Sequence, residues 1–228
     1  MTLYQYPPQT ALKRVIPKTR IYDGAAASTA LRDRFVREVD QITWAHKLAP
    51  ETLNLPATPA VPEIQVFRVT LKGDTLHDDI LRAMDRAIPF PLLFELVAGD
   101  RIQPAAAYKR PSEAERGKWV LSDPLRGEWS AHDAPRAPLP VAVNMGVLYE
   151  RMLSALMPVA PVPGEDVESR LARLAAIRAK EREIAQLQSR LKRESQFNIK
   201  VTLHGQLAEA QAAFDQLKDP GKTGRGKP

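Results

Sequence analysis

Cysteine is absent from the 228 residues, which removes disulfides, thiolate metal sites and cysteine nucleophiles together. Histidine is scarce. His46, His77, His132 and His204 lie far apart, with no spacing that resembles a compact ligand set. Each reads more readily as a surface or helix-end histidine than as a ligand or a base. Long apolar runs are missing too, so no segment is suited to span a bilayer as a helix. The opening residues, MTLYQYPP, carry neither the basic nor the apolar stretch of a secretory leader. A soluble, cytoplasmic protein with no membrane partner is the expectation. No G-x-S-x-G elbow is present. The tail's GKT lacks the upstream glycine, the strand and the helix of a phosphate-binding loop. No cofactor and no metal site is expected.

What the chain has in quantity is charge and proline. Lys and Arg number 33 against 27 Asp and Glu, a net charge of +6. The cations gather at Lys13, Arg14, Lys18 and Arg20, then between 170 and 193, then at Lys222, Arg225 and Lys227. Such clusters attract phosphate backbones by counterion release, and they equally well solvate helices. Proline, at 20 residues, is well above the average share of about 5 %, but none occurs between Pro163 and Pro220. Because proline breaks helices, that change of punctuation divides the chain. An α/β domain is expected over 1–160, a helical region over 165–218 and a flexible basic tail over 219–228.

Within the first part, Ser28 is a suitable N-cap, and Leu31, Phe35, Val39 and Ile42 recur at helical spacing. A helix is expected from there to about Lys47. Residues 64–71 read as a strand. Leu76, Ile80, Leu81, Met84 and Ile88 mark an amphipathic helix with Asp78 and Asp79 in its first turn. A strand at 92–97, a turn at Gly99 and a return strand at 102–108 follow. Short strands are expected near 117–121 and 128–131, and a helix over 144–157. This order argues an α+β fold, a mixed α/β sheet domain with flanking helices, followed by a long helical, coiled-coil-like C-terminal region.

That last region carries narrow apolar stripes. Leu174, Ile177, Ile184, Leu187 and Leu191 form one; Leu203, Leu207, Phe214 and Leu217 continue at heptad spacing but out of phase. Either one helix carries a stutter near 195–205 or the chain bends there into a hairpin. Gly205 costs a helix only about 1 kcal/mol relative to alanine, too little to force a turn. Each buried Leu or Ile contributes roughly 1.5–3 kcal/mol, so the stripes need cover from another helix of the chain, a second copy or another protein. These residues are the candidate partner-binding set.

Catalytic candidates are incomplete. A restriction-type nuclease core needs a carboxylate on one strand and a D/E-x-K pair on the next, holding Mg²⁺. Glu95 and Lys109 occupy two of those places, but Ala107 stands where the second carboxylate belongs, so no catalytic set is assigned. For nucleic acid the candidates are Lys13, Arg14, Lys18, Arg20, Lys109 and Arg110, since aromatic and basic residues interleave at Tyr108–Arg110 and around Trp44 and His46. Core packing explains Trp44 at least as well.

Several blocks, in order, resemble one family: KTRIY at 18–22, ITWAHKLAPETLNL at 42–55, EIQVFRV at 63–69, AIPFPLLFEL at 87–96, AAYKR at 106–110 and ESQFN at 194–198. The resemblance is to DUF4391, a family of bacterial and archaeal proteins without an assigned activity. It implies a gene setting with helicases, DNA methyltransferases and restriction-type defence systems, and no catalytic residues. The expectation is a non-catalytic accessory subunit of a DNA-processing or anti-phage complex. Its partner would be a helicase or methyltransferase of the same system, or a second copy. Nucleic-acid binding, with DNA possible, is the alternative, and a degenerate nuclease stands behind both.

Overall fold

The computed structural model describes residues 3–112, 114–115 and 118–219. The basic tail expected at 219–228, with Lys222, Arg225 and Lys227, lies outside the described residues apart from Asp219, as does Gly117. Along the chain run β1 (Tyr4–Gln5), β2 (Ala11–Val15), α1 (Lys18–Gly24), α2 (Thr29–Glu38), β3 (Val39–Leu48), α3 (Pro50–Leu53), β4 (Ile64–Leu71), α4 (Asp78–Ala87), β5 (Leu92–Ala98) and β6 (Arg101–Ala106). Then come β7 (Lys109–Pro111), β8 (Trp119–Leu121), β9 (Leu125–Arg126), β10 (Ser130–Ala131), β11 (Ala137–Pro138), α5 (Met145–Ser154), α6 (Val167–Arg193) and α7 (Phe197–Lys218). The chain divides into two compact units, 1–157 and 158–228.

The first unit is built on a seven-stranded sheet in the order β10-β6-β5-β4-β3-β2, with β9 also on β6. β4 and β5 are parallel and joined by α4; the other pairs are antiparallel. β5, LLFELVA, is buried along its whole length between two neighbours, so its apolar run is continuous rather than alternating. Leu92, Phe94 and Leu96 join Phe67 and Val69 of β4, Phe35 of α2, and Ile80, Leu81 and Met84 of α4 in one core on one face of the sheet. Gly24 is held close against α4, where a β-carbon would meet that of Ala87 at 2.9 Å.

The expected helix through Lys47 is overturned at its second half. Ser28 caps α2 as anticipated, accepting from Leu31 N–H, but the helix stops at Glu38 and residues 39–48 form β3. Val39 pairs with Leu71 and Ile42 with Val69, with a register shift between Val39 and Gln41. That bulge brings two residues three apart onto one face, which is why their spacing imitates a helix. Pairing with β4 at eight positions then outweighs the helical pattern.

In the second unit, α6 and α7 are joined by 194–196 and run antiparallel, since Arg173 near the start of α6 donates to the Leu217 carbonyl at the end of α7. The Glu194 side chain accepts from the N–H groups of Ser195 and Gln196, both at 2.8 Å, and so fixes the turn. Of the two paths open to the sequence, the hairpin is the one taken. Leu187, Leu203 and Ala210 are buried together with Ile184, Leu191 and Leu207 against them. No helix among the described residues is long and apolar enough to cross a membrane.

Gly205 lies inside α7 with nothing within 4 Å of an added β-carbon. Gly205→Ala is therefore expected to stabilise the hairpin by about 0.5–1 kcal/mol. Leu187→Ala should instead destabilise it by about 2–4 kcal/mol. Urea unfolding followed by circular dichroism tests both signs, and a destabilising Gly205→Ala would contradict the helical placement.

Candidate functional site

Two buried charge clusters stand out, and each takes up one of the nuclease candidates. The first lies on the sheet face opposite the main core. Successive strand residues alternate in direction, so Glu95 points away from Phe94 and Leu96. It stands in register with Arg68 on β4. Arg68 donates through Nε and Nη2 to Oε2 of Glu95, at 3.2 and 2.7 Å. Arg136 donates through Nη1 to Oε1 at 2.5 Å and also to the Tyr4 carbonyl. Through that second contact it ties β1 to the segment leading into β11, which itself pairs in parallel with β1. Burial alone would raise the Glu95 pKa; the hydrogen bonds and charges of Arg136 and Arg68 outweigh it and hold the carboxyl below its ordinary value.

Around this carboxylate sit His46, Thr10 and Tyr6. A second register shift, between Trp44 and His46, is what brings His46 here. Trp44 opposite Phe67 stacks on it in the core at 6.1 Å, while His46 opposite Val66 lies on the other face. The Thr10 hydroxyl is 2.9 Å from His46 Nδ1, and the Tyr6 ring lies 4.5 Å from the imidazole. Burial pushes the His46 pKa down, with Arg68, Arg136 and Lys13 adding to the effect against Glu95. A cavity of about 20 Å³ borders Tyr6 and Glu95, room for about one water.

The second cluster is on the α4 side. Lys109 is 1 % exposed and Asp85 fully buried. The Lys109 ammonium donates to the backbone carbonyls of Asp85 and Ile88, so it closes the C-terminal turn of α4, where carbonyls otherwise lack donors. Its ring partner is Trp119, at 5.0 Å. The Lys109 N–H donates to the Tyr149 hydroxyl, which in turn donates to the Ala107 carbonyl at 2.7 Å. Among the described residues, neither carboxylate oxygen of Asp85 has a hydrogen-bond partner. Burial pushes the Asp85 pKa up and the Lys109 pKa down, each opposed by the charge of the other.

The nuclease candidates are thus not brought together. Glu95 already takes an arginine on each oxygen, and Lys109 serves a helix end. Among the described residues no group of three or more His, Asp or Glu could share a metal ion. Lys109 is also withdrawn from the nucleic-acid candidates, because its charge is spent on carbonyls in the interior. Of the others, Lys13, Arg14 and Arg20 are exposed, and Arg110 is half-buried. Lys18 is half-buried, with its ammonium on the Val39 carbonyl at 2.5 Å. Of the partner-binding candidates, Leu174, Ile177, Leu187 and Leu203 are buried, and Ile184, Leu191, Leu207, Phe214 and Leu217 partly so. The α6 and α7 stripes meet each other across the hairpin.

Arg68, Arg136, Asp85 and Tyr149 escaped the sequence reading. One of them left a signal: Arg68 is a lone charge in the apolar strand QVFRVT, as Glu95 is in LLFELV, and adjacent parallel strands can pair such charges. His77 proves to be the N-cap of α4, accepting from Asp79 N–H.

These features define an α+β sheet protein carrying a C-terminal helical hairpin. A family model described as a domain of unknown function, DUF4391, matches residues 5–214, and the chain belongs to that family. No curated protein matches it, and no solved structure does.

Removing one member of a buried pair strands its partner, at about 3–5 kcal/mol. Lys109→Ala should therefore destabilise the first unit by about that amount, and Asp85→Asn combined with Lys109→Met should recover most of it. A double-mutant cycle in urea measures the coupling, and additive losses would show that the two do not interact. Glu95 carries a pH signature as well. Its folded pKa lies below the ordinary 4.5, so its stabilisation is present above that value and is lost as pH falls through the folded one. Between pH 5 and acid unfolding, roughly, the stability of Glu95→Gln should fall less steeply than that of the unaltered protein; parallel curves would refute the ion-pair role.

Proposed function

We propose that this protein is a non-catalytic interaction subunit of a bacterial DNA-processing or anti-phage defence assembly, and that the C-terminal hairpin, packed as an antiparallel coiled coil, does the holding. The observation that carries this reading is at the turn of the hairpin. Phe197, Ile199 and Val201 are 77 %, 39 % and 56 % exposed. Three bulky apolar side chains within five residues, open to water at a helix start, form a compact anchor for another protein. The partner is a helicase or methyltransferase of the same system, as the family's gene setting implies. The commitment of Glu95 to two arginines and of the Lys109 ammonium to backbone carbonyls supports a non-catalytic role. A second reading, nucleic-acid binding, draws support from Lys13, Arg14 and Arg20, which all lie exposed.

Affinity-tagged protein expressed with its genomic neighbours tests the reading. Phe197→Asp with Val201→Asp should reduce recovery of the partner at least tenfold while leaving helicity and unfolding midpoint close to those of the unaltered chain, since exposed substitutions are usually within about 0.5 kcal/mol. Full recovery of the partner by this variant would dispose of the hairpin as the holding element.

A further inference from the structure

We infer that Arg68 and Arg136, with Lys13 and His46 beside them, form a binding site for the oxyanion of a phosphate group. The argument begins with an excess of charge. One buried carboxylate is balanced by one cation, yet Glu95 receives two guanidinium groups. Their side chains remain 38 % and 23 % exposed, against 3 % for Glu95. The carboxylate is therefore inside and the cations reach outward.

The donors left over are the ones a ligand needs. Arg68 spends Nε and Nη2 on Glu95, which leaves Nη1. Arg136 spends Nη1 on Glu95 and the Tyr4 carbonyl, which leaves Nε and Nη2. A guanidinium whose plane is fixed by a carboxylate presents its remaining N–H groups without further loss of freedom, and its fork matches phosphate oxygens. The Tyr6 ring lies against the His46 imidazole, 4.5 Å between centroids, and so borders the same place.

Lys13 adds to the field. It is exposed on the edge strand β2, in the left-handed region at φ 52°, where β2 shifts register against β3 between Ala11 and Arg14. Ala11 pairs with His46, so the bulge of β2 begins beside that histidine, and the Lys13 charge is felt at His46. Register shifts in both β2 and β3 thus fall next to His46, a device strands commonly use next to functional sites. The adjoining cavity of about 20 Å³ holds no more than about one water, so the ligand is taken at the surface rather than enclosed. This assignment stands apart from the hairpin role proposed above.

Two sources offer the same chemistry, a free phosphate group and the phosphodiester of a nucleic acid strand. The test uses inorganic phosphate by calorimetry and a fluorescent single-stranded oligonucleotide by anisotropy, both at low salt. Arg68→Gln with Glu95→Gln removes one cation together with the charge it faced, and Lys13→Ala alters an exposed residue alone. We expect the double variant to bind at least tenfold more weakly and Lys13→Ala several-fold more weakly, both with a native circular dichroism spectrum. Oligonucleotide displaced by millimolar phosphate identifies the isolated group as what is read; oligonucleotide retained against phosphate identifies the strand. If the double variant fails to fold, Lys13→Ala and Arg136→Lys decide by the same readout. Absence of binding to both probes by the unaltered protein, or variants that bind as it does, overturns the site.

Discussion

A carboxylate buried beneath a sheet must be met by cations, and in this protein that requirement organises a whole face of the first unit. Glu95 sits on the most enclosed strand, where an isolated charge would cost several kcal/mol. Arg68 meets it from the neighbouring strand in register. Arg136 meets it from a segment distant in sequence and binds the Tyr4 carbonyl with the same nitrogen. The segments around Tyr4 and Arg136 are thereby tied together over the sheet by one side chain. An apolar trio of similar volume would be as stable or more so, but it would not choose between registers of β1 and β11, whereas a directional fork does.

The two clusters also separate the uses of lysine and arginine. At the end of α4 the acceptors are backbone carbonyls crowded into one turn, and a compact ammonium with rotatable donors reaches two of them. On the other face the acceptor is a planar carboxylate, and planar guanidinium groups approach it edge-on. Exchanging the two types would leave the Lys109 site overfilled and the Glu95 site short of donors. The lysine that completes a nuclease pattern on paper thus serves as a helix cap, and the glutamate serves as an anchor for arginines.

The elements governed by local chemistry were legible in the sequence. The strand at 64–71, the helix behind Asp78 and Asp79, the hairpin about Gly99, the N-cap Ser28 and the helix expected over 144–157 follow from periodicity and capping, and each is found, the last as Met145–Ser154. Residues 39–48 were not legible, because a bulge changes the period by one residue and only pairing with β4 reveals it. The charge clusters were half legible. Glu95 and Lys109 stood out as charges in apolar surroundings, but their partners come from up to 41 residues away, and no local pattern specifies that. The hairpin's turn was open for a similar reason: its breaker is the cap built by Glu194, not the glycine that attracts the eye.

The helical region bears on function differently once its path is known. Slender apolar stripes require cover, and here α6 and α7 supply it to each other. The physical need for an outside partner is to that extent met within the chain, so an assembly role must rest on what the hairpin leaves exposed. Phe197, Ile199 and Val201 could contribute roughly 1.5–3 kcal/mol each if fully buried, and less where part of each is already covered. Association itself costs about 4–15 kcal/mol in lost freedom. The apolar turn can therefore act as the anchor of an interface but not as the whole of it. A partner that stays bound must also engage polar or charged surface, and the charged outer face of α6, rich in arginine and glutamate, lies next to that anchor within the same hairpin.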